Sequence, residues 1–197
     1  MRQIGEHTMP VKIYIDQGHN PSGFNTGAEG NGYTEQDITY RIGVLLYDLL
    51  AANPNFTPRL SRPTPTTILG TDNSSSIIER VREANEWGAD IFLSLQTNAS
   101  TNPAANGSEV LVYSLSNPVT SELGEDILKN MTEITGLRNR GLKARPGLYV
   151  LRRTNMPALL VEMGFISNPE DAYLMATSPN LFAEGIYRGI LEYYEVD

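Results

Sequence analysis

Apolar residues along this chain alternate between two rhythms, short continuous runs and stripes at helical spacing. Residues 11–16 (VKIYID) form a β-branched and aromatic run that stops at Gln17-Gly18-His19-Asn20-Pro21, a loop signature. A Gly- and Asn-rich stretch leads to Tyr33. Beyond it Ile38, Ile42, Leu45, Leu46, Leu49 and Leu50 recur as one face of a helix. Thr34 stands at the expected N-cap, with Asp37 as a capping-box-like partner, and Asn53-Pro54 ends the helix. Residues 56–61 read as a second strand. Residues 74–87 read as a helix carrying Ile77, Ile78, Val81 and Ala84 on one face, with Gly88 where a C′ glycine belongs. Residues 89–96 (ADIFLSLQ) are almost continuously apolar, the pattern of a buried parallel strand. A strand over 107–114 and a helix over 117–135, closed by Gly136, follow. Two short strands are expected over 148–152 and 158–162, and Asn168-Pro169 and Ser178-Pro179 each place a capping residue before an N1 proline, opening two final helices.

Strands alternating with helices predict an α/β fold: one domain with a central mixed, mainly parallel sheet and helices on both faces. No repeat or long linker divides the chain, so residues 11–197 are expected to be one domain and residues 1–10 a flexible extension. Composition narrows the function. Lys and Arg number 15 against 23 Asp and Glu, giving a net charge of −8 and no basic cluster for nucleic acid or an anionic membrane. Cysteine is absent, which excludes thiol nucleophiles and Cys-based metal sites. No apolar run approaches the ~20 residues of a membrane span, and the first ten residues lack a signal-peptide core, so the chain is expected to be soluble and to reach any external site by trimming or another route.

Four residues attract attention. His19 follows the first strand, Gln96 ends the strand over 89–96, and Glu162 ends the strand over 158–162. In a parallel sheet all three meet outside the carboxyl ends, where open α/β sheets bind ligands. Glu35, in the first helical turn, faces the same crevice. Each has a plainer reading: Glu35 as a partner of the helix dipole, His19 as a loop side chain, Gln96 as a hydrogen-bonded strand end. Glu162 interrupts an apolar strand, and a buried carboxylate is costly unless paired, ligated or used. The plain alternative for it is an ion pair with Arg152 or Arg153.

The segments IYIDQGHN (13–20), NGYTEQDITYRIG (31–43), ERVREANEWGADIFLSLQTNAS (79–100), GSEVLVYS (107–114) and LYVLRRTNMPALLVEMGFISNPEDAYLM (148–175) together resemble the zinc-dependent N-acetylmuramoyl-L-alanine amidases of bacterial cell-wall hydrolysis. The resemblance implies that His19 and Glu35 bind zinc and that Glu162 is the general base and acid. It places a second zinc-binding His within Ser94-Leu95-Gln96-Thr97-Asn98, where this chain has Gln96. In such a site two imidazoles and a carboxylate leave one zinc position for water, which the metal acidifies.

A carboxamide is a neutral, weaker ligand than imidazole, better suited to Ca²⁺ or Mg²⁺. His7 lies upstream of the first strand and is not expected to replace it. The expectation is therefore a peptidoglycan amidase with one weakly bound Zn²⁺ and reduced turnover. The alternatives are an inactive peptidoglycan-binding or partner-regulated relative and an interaction protein of the same fold. The resemblance also implies action on the outer side of the cytoplasmic membrane, with the stem peptide and glycan as ligands and room for a regulatory protein partner.

Overall fold

β1 (Val11–Gln17) is buried over nearly its whole length and seeds a six-stranded sheet. The computed structural model describes residues 9–196. The chain continues through β2 (Glu29–Gly30), β3 (Tyr33–Thr34), α1 (Glu35–Ala51), β4 (Phe56–Leu60), α2 (Asn73–Trp87), β5 (Ile91–Asn98) and β6 (Ser108–Val112). It ends with α3 (Pro118–Thr135), β7 (Asn139–Ala144), α4 (Tyr149–Arg152), β8 (Ala158–Phe165), α5 (Pro169–Thr177) and α6 (Pro179–Tyr194). The strand order is β4-β1-β5-β8-β6-β7; β4, β1, β5 and β8 run parallel, β6 is antiparallel to β8, and β7 is parallel to β6. The sheet is thus mixed and mainly parallel, as expected.

Alternation sorts its side chains onto two faces. Ile13, Ile15, Leu93, Leu95 and Val161 pack with Ile42 and Leu46 of α1, Ile127 and Met131 of α3, and Phe182 and Ile186 of α6. On the other face Tyr14, Phe92, Leu111 and Leu160 pack with Val81 and Ala84 of α2 and Val150 and Leu151 of α4.

Local chemistry explains most helix ends. The Asp72 side chain accepts from the Ser74 and Ser75 amides, the Ser75 hydroxyl completes a capping box, and Gly88 closes α2 at φ 69°. Asn117 and Asn168 cap α3 and α5 ahead of their N1 prolines. Two expected caps differ. Thr34 holds the N-cap position of α1 without a cap bond, because its hydroxyl donates to Asp37 Oδ2 at 2.7 Å. Ser178 serves as both the C-cap of α5 and the N-cap of α6, and its side chain makes no cap bond.

The strand expected over 148–152 is instead α4. The Leu148 carbonyl accepts from the amides of Leu151 and Arg152, so the segment folds into a turn of helix that buries Val150 and Leu151. Its short apolar run has the composition of a strand but finds no ladder to join. β7 and the β2–β3 hairpin were not anticipated, and β8 extends past Glu162 to Phe165. The extension expected over residues 1–10 lies outside the described residues up to residue 8, and His7 with it.

Candidate functional site

Beyond β1 the chain turns at Gly18 into His19, which adopts φ 68°, a left-handed conformation uncommon for a residue with a side chain. What holds it there is Arg80 of α2. Its guanidinium donates to Asp16 Oδ1 at 2.5 Å and to the carbonyls of Gln17 at 2.7 Å and His19 at 2.6 Å. Arg80 is 2% exposed, so this fork binds the end of β1 in a setting where its hydrogen bonds are little screened. The sequence signal was faint: Arg80 lies on the inner stripe of α2, four residues from the small Ser76 and Ala84 on either side.

Glu35 opens α1 and is buried. Its Oε1 accepts from the Thr97 amide at 2.7 Å, and its Oε2 accepts from the Ala28 amide at 3.0 Å. The same Oε2 lies 3.2 Å from His19 Nε2, while His19 Nδ1 faces the Asn25 carbonyl at 3.3 Å. Burial pulls the His19 imidazole down, but the hydrogen bond and charge of Glu35 outweigh it and raise its pKa above the ordinary value.

Gln96 on β5 turns its amide inward. Nε2 donates to Ser94 Oγ at 3.1 Å, and that hydroxyl donates to Asp16 Oδ2 at 2.8 Å, so Gln96 joins the Arg80 network. A Cβ at residue 18 would fall 2.3 Å from Gln96 Nε2, so the glycine there lets the amide keep this position, and a larger residue would turn it aside. A cavity of about 160 Å³ opens beside His19 and Gln96, walled by Ile77, Leu148, Val150 and Leu160.

Glu162 lies in register with Gln96 of β5 on one side and Glu109 of β6 on the other. Its Oε2 is buried with no hydrogen-bond partner, and no ion pair to Arg152 or Arg153 forms among the described residues. Burial first, then the charges of Glu35 and Glu109, pushes its pKa up to about 8. Glu109, which sequence reasoning missed, accepts from Arg140 Nε at 3.0 Å, from Lys143 Nζ, and from Asn98 Nδ2 at 3.3 Å. Burial alone would raise its pKa, yet Lys143 and Arg140 hold the carboxyl below its usual range.

The structure therefore brings His19 and Glu35 into contact and sets Gln96 and Glu162 on neighbouring strands at the carboxyl end of the parallel sheet. A zinc ion needs three good donors here and finds two. The third position offers an amide tied to Ser94, and among the described residues no three His, Cys, Asp or Glu side chains are placed to hold a metal ion. The donor set does not fit the three-ligand zinc site that the resemblance implies.

The crevice that gathers His19, Glu35, Gln96 and Glu162 lies outside the carboxyl ends of the parallel strands, where open α/β sheets bind their ligands. Residues 13–192 match the family model described as N-acetylmuramoyl-L-alanine amidase, and the chain belongs to that family. It is 35% identical over 180 residues to the N-acetylmuramoyl-L-alanine amidase CwlM of Bacillus licheniformis, covering 91% of this chain and 65% of that protein. The chain thus spans just under two thirds of that relative's length. The crystal structure of N-acetylmuramoyl-L-alanine amidase from Clostridium difficile 630 superposes with a TM-score of 0.85 at 27% identity, covering 95% of this chain and 98% of that one. The CwlD amidase from Clostridioides difficile, solved in complex with the GerS lipoprotein, superposes at 0.84 with 25% identity, covering 95% of this chain and 100% of that one.

Proposed function

We propose that this domain hydrolyses the amide bond between N-acetylmuramic acid and the L-alanine of the peptidoglycan stem peptide, at a rate strongly reduced by Gln96. The observation that carries this reading is Glu162. Its side chain is half-buried in the sheet, its Oε2 is buried without a hydrogen-bond partner, and two further carboxylates lie nearby, an arrangement that suits proton transfer. Its ionised form takes a proton from the attacking water and returns it to the departing alanine nitrogen. Because burial and the neighbouring carboxylates raise its pKa, the ionised base becomes more available as pH rises above neutrality. His19 and Glu35 fix the mouth of the crevice, and no third strong donor helps activate the water.

Family membership supports the bond assigned, and relatives with wall-amidase names support action outside the cytoplasm. The lipoprotein bound to the CwlD amidase supports a regulatory protein partner for this domain as well. One observation favours a second reading, a wall-binding domain without turnover: the Gln96 amide is bonded into the Ser94–Asp16–Arg80 network at the position where a third ligand would be needed.

Release of L-alanine amino termini from purified peptidoglycan at pH 8 decides between them. Slow release by the natural chain, abolished in Glu162→Ala, is the expected result. Release that persists in Glu162→Ala removes Glu162 from the chemistry. Sedimentation of the protein with the wall material and no release establishes the second reading.

A further inference from the structure

The antiparallel strand β6 carries Glu109 directly beside Glu162, and β7 brings two cations onto it. Arg140 Nε and Lys143 Nζ both donate to the same oxygen, Glu109 Oε2, while Oε1 takes the Asn98 amide. Two cations share one carboxylate, leaving a net positive charge at the edge of the crevice in a chain whose overall charge is −8. Arg140 is pinned on three sides, by Glu109, by the Asn106 carbonyl at 3.1 Å and by the Phe165 ring 4.9 Å from its guanidinium carbon. It is therefore ordered before any ligand arrives. Among the described residues these bonds engage Nε and one terminal nitrogen of Arg140 and a single bond from Lys143. One guanidinium amino group and two ammonium protons face no protein acceptor. The two side chains are 26% and 32% exposed, so these donors are reachable from solvent.

Free, preorganised donors on a net positive cluster recognise an anion, and a planar guanidinium beside an ammonium suits a carboxylate. Neighbouring strands lie ~4.8 Å apart and an extended peptide rises ~3.3 Å per residue, so a group bound over β6 and β7 sits one to three residues from an amide held at Glu162. We propose that Arg140 and Lys143 bind the free α-carboxylate of the glutamate that follows L-alanine in the stem peptide, fixing the leaving peptide across β6 while the scissile amide lies at Glu162. This assignment rests on the wall-amidase reading and adds to it the side of the crevice that takes the peptide.

Calorimetric titration at low salt with N-acetylmuramoyl-L-alanyl-D-glutamate and with its α-amide, D-isoglutamine, tests the assignment without requiring turnover. The free acid is expected to bind the natural chain about tenfold more tightly than the amide. Lys143→Gln leaves Arg140 on Glu109 and so keeps the buried carboxylate partnered; in it the preference is expected to fall below about threefold, and Arg140→Gln supplies an independent second variant. Equal binding of acid and amide to the natural chain overturns the carboxylate site and leaves the wall-amidase reading standing. A preference that survives in both variants overturns the assignment to these two residues. Failure of both compounds to bind up to millimolar concentration overturns the wall-amidase reading and this assignment together.

Discussion

Gln96 and Glu162 are neighbours in register on adjacent strands, yet their environments pull in opposite directions. The Gln96 amide donates to Ser94, whereas Glu162 is half-buried with its Oε2 enclosed and unpartnered. Replacing Gln96 with His exchanges a neutral amide for an imidazole beside His19 and Glu35. Gln96→His is expected to tighten zinc binding at least tenfold in an isotherm on chelator-stripped protein and to raise turnover with it, whereas Gln96→Ala leaves turnover nearly unchanged. Tight zinc binding by Gln96→His without faster hydrolysis would locate the defect elsewhere. Glu162 also makes a stability prediction. Its proton is held by the folded chain up to about pH 8 but lost by the unfolded chain near 4.5, so the unfolded state binds fewer protons between those values. Stability then falls as pH rises through that window, with a slope approaching ~1.4 kcal/mol per unit from this group. Glu162→Gln is expected to lose that slope and to be the more stable of the two at pH 8, as measured by urea midpoints at pH 5.5 and 8. At this scale the sequence disclosed His19, Glu35, Gln96 and Glu162, because each lies near the carboxyl end of a strand or at the start of a helix, although β5 and β8 run on to Asn98 and Phe165. It did not disclose Arg80, whose only trace was a position between small residues on α2, nor Glu109, whose place beside Glu162 depends on how β6 pairs.

That pairing belongs to the scale of elements. Apolar runs located β1, β5, β6 and β8, but a run of β-formers carries no information on strand direction, and the reversal of β6 is what sets Glu109 against Glu162. β7 escaped notice because NRGLKA mixes polar residues with Gly141, which takes φ 85°, and its exposed edge needs no apolar alternation. Residues 148–152 show the opposite error: enough apolar residues for a strand, and no neighbour with which to form one. Helix packing makes its own demand. Gly185 and Gly189 of α6 lie against Met131 and Ile127 of α3 so closely that a Cβ would fall 2.4 and 2.3 Å from their Cα atoms. Since backbone cannot rotate aside as a side chain can, Gly189→Ala is expected to cost about 1–3 kcal/mol in chemical denaturation through overpacking.

Across the whole molecule the site is assembled from parts distant in sequence, from His19 after β1 to Glu162 on β8, and the doubly covered sheet alone brings them together. The alternation of strands and helices made that architecture legible, since parallel strands with crossover helices leave a crevice at one end. The distribution of charge was not legible, because an overall acidic balance conceals a local excess of cations on β7. One bond spans this assembly: the Thr97 amide of β5 donates to the Glu35 carboxylate of α1, 62 residues away in sequence. In the language of solvent exchange, that single proton times the integrity of the crevice. While Glu35 holds it, the Thr97 amide should trade with deuterium only when β5 and α1 part. Any ligand that draws the carboxylate toward itself should release this proton early, with its neighbours on the ladder still protected.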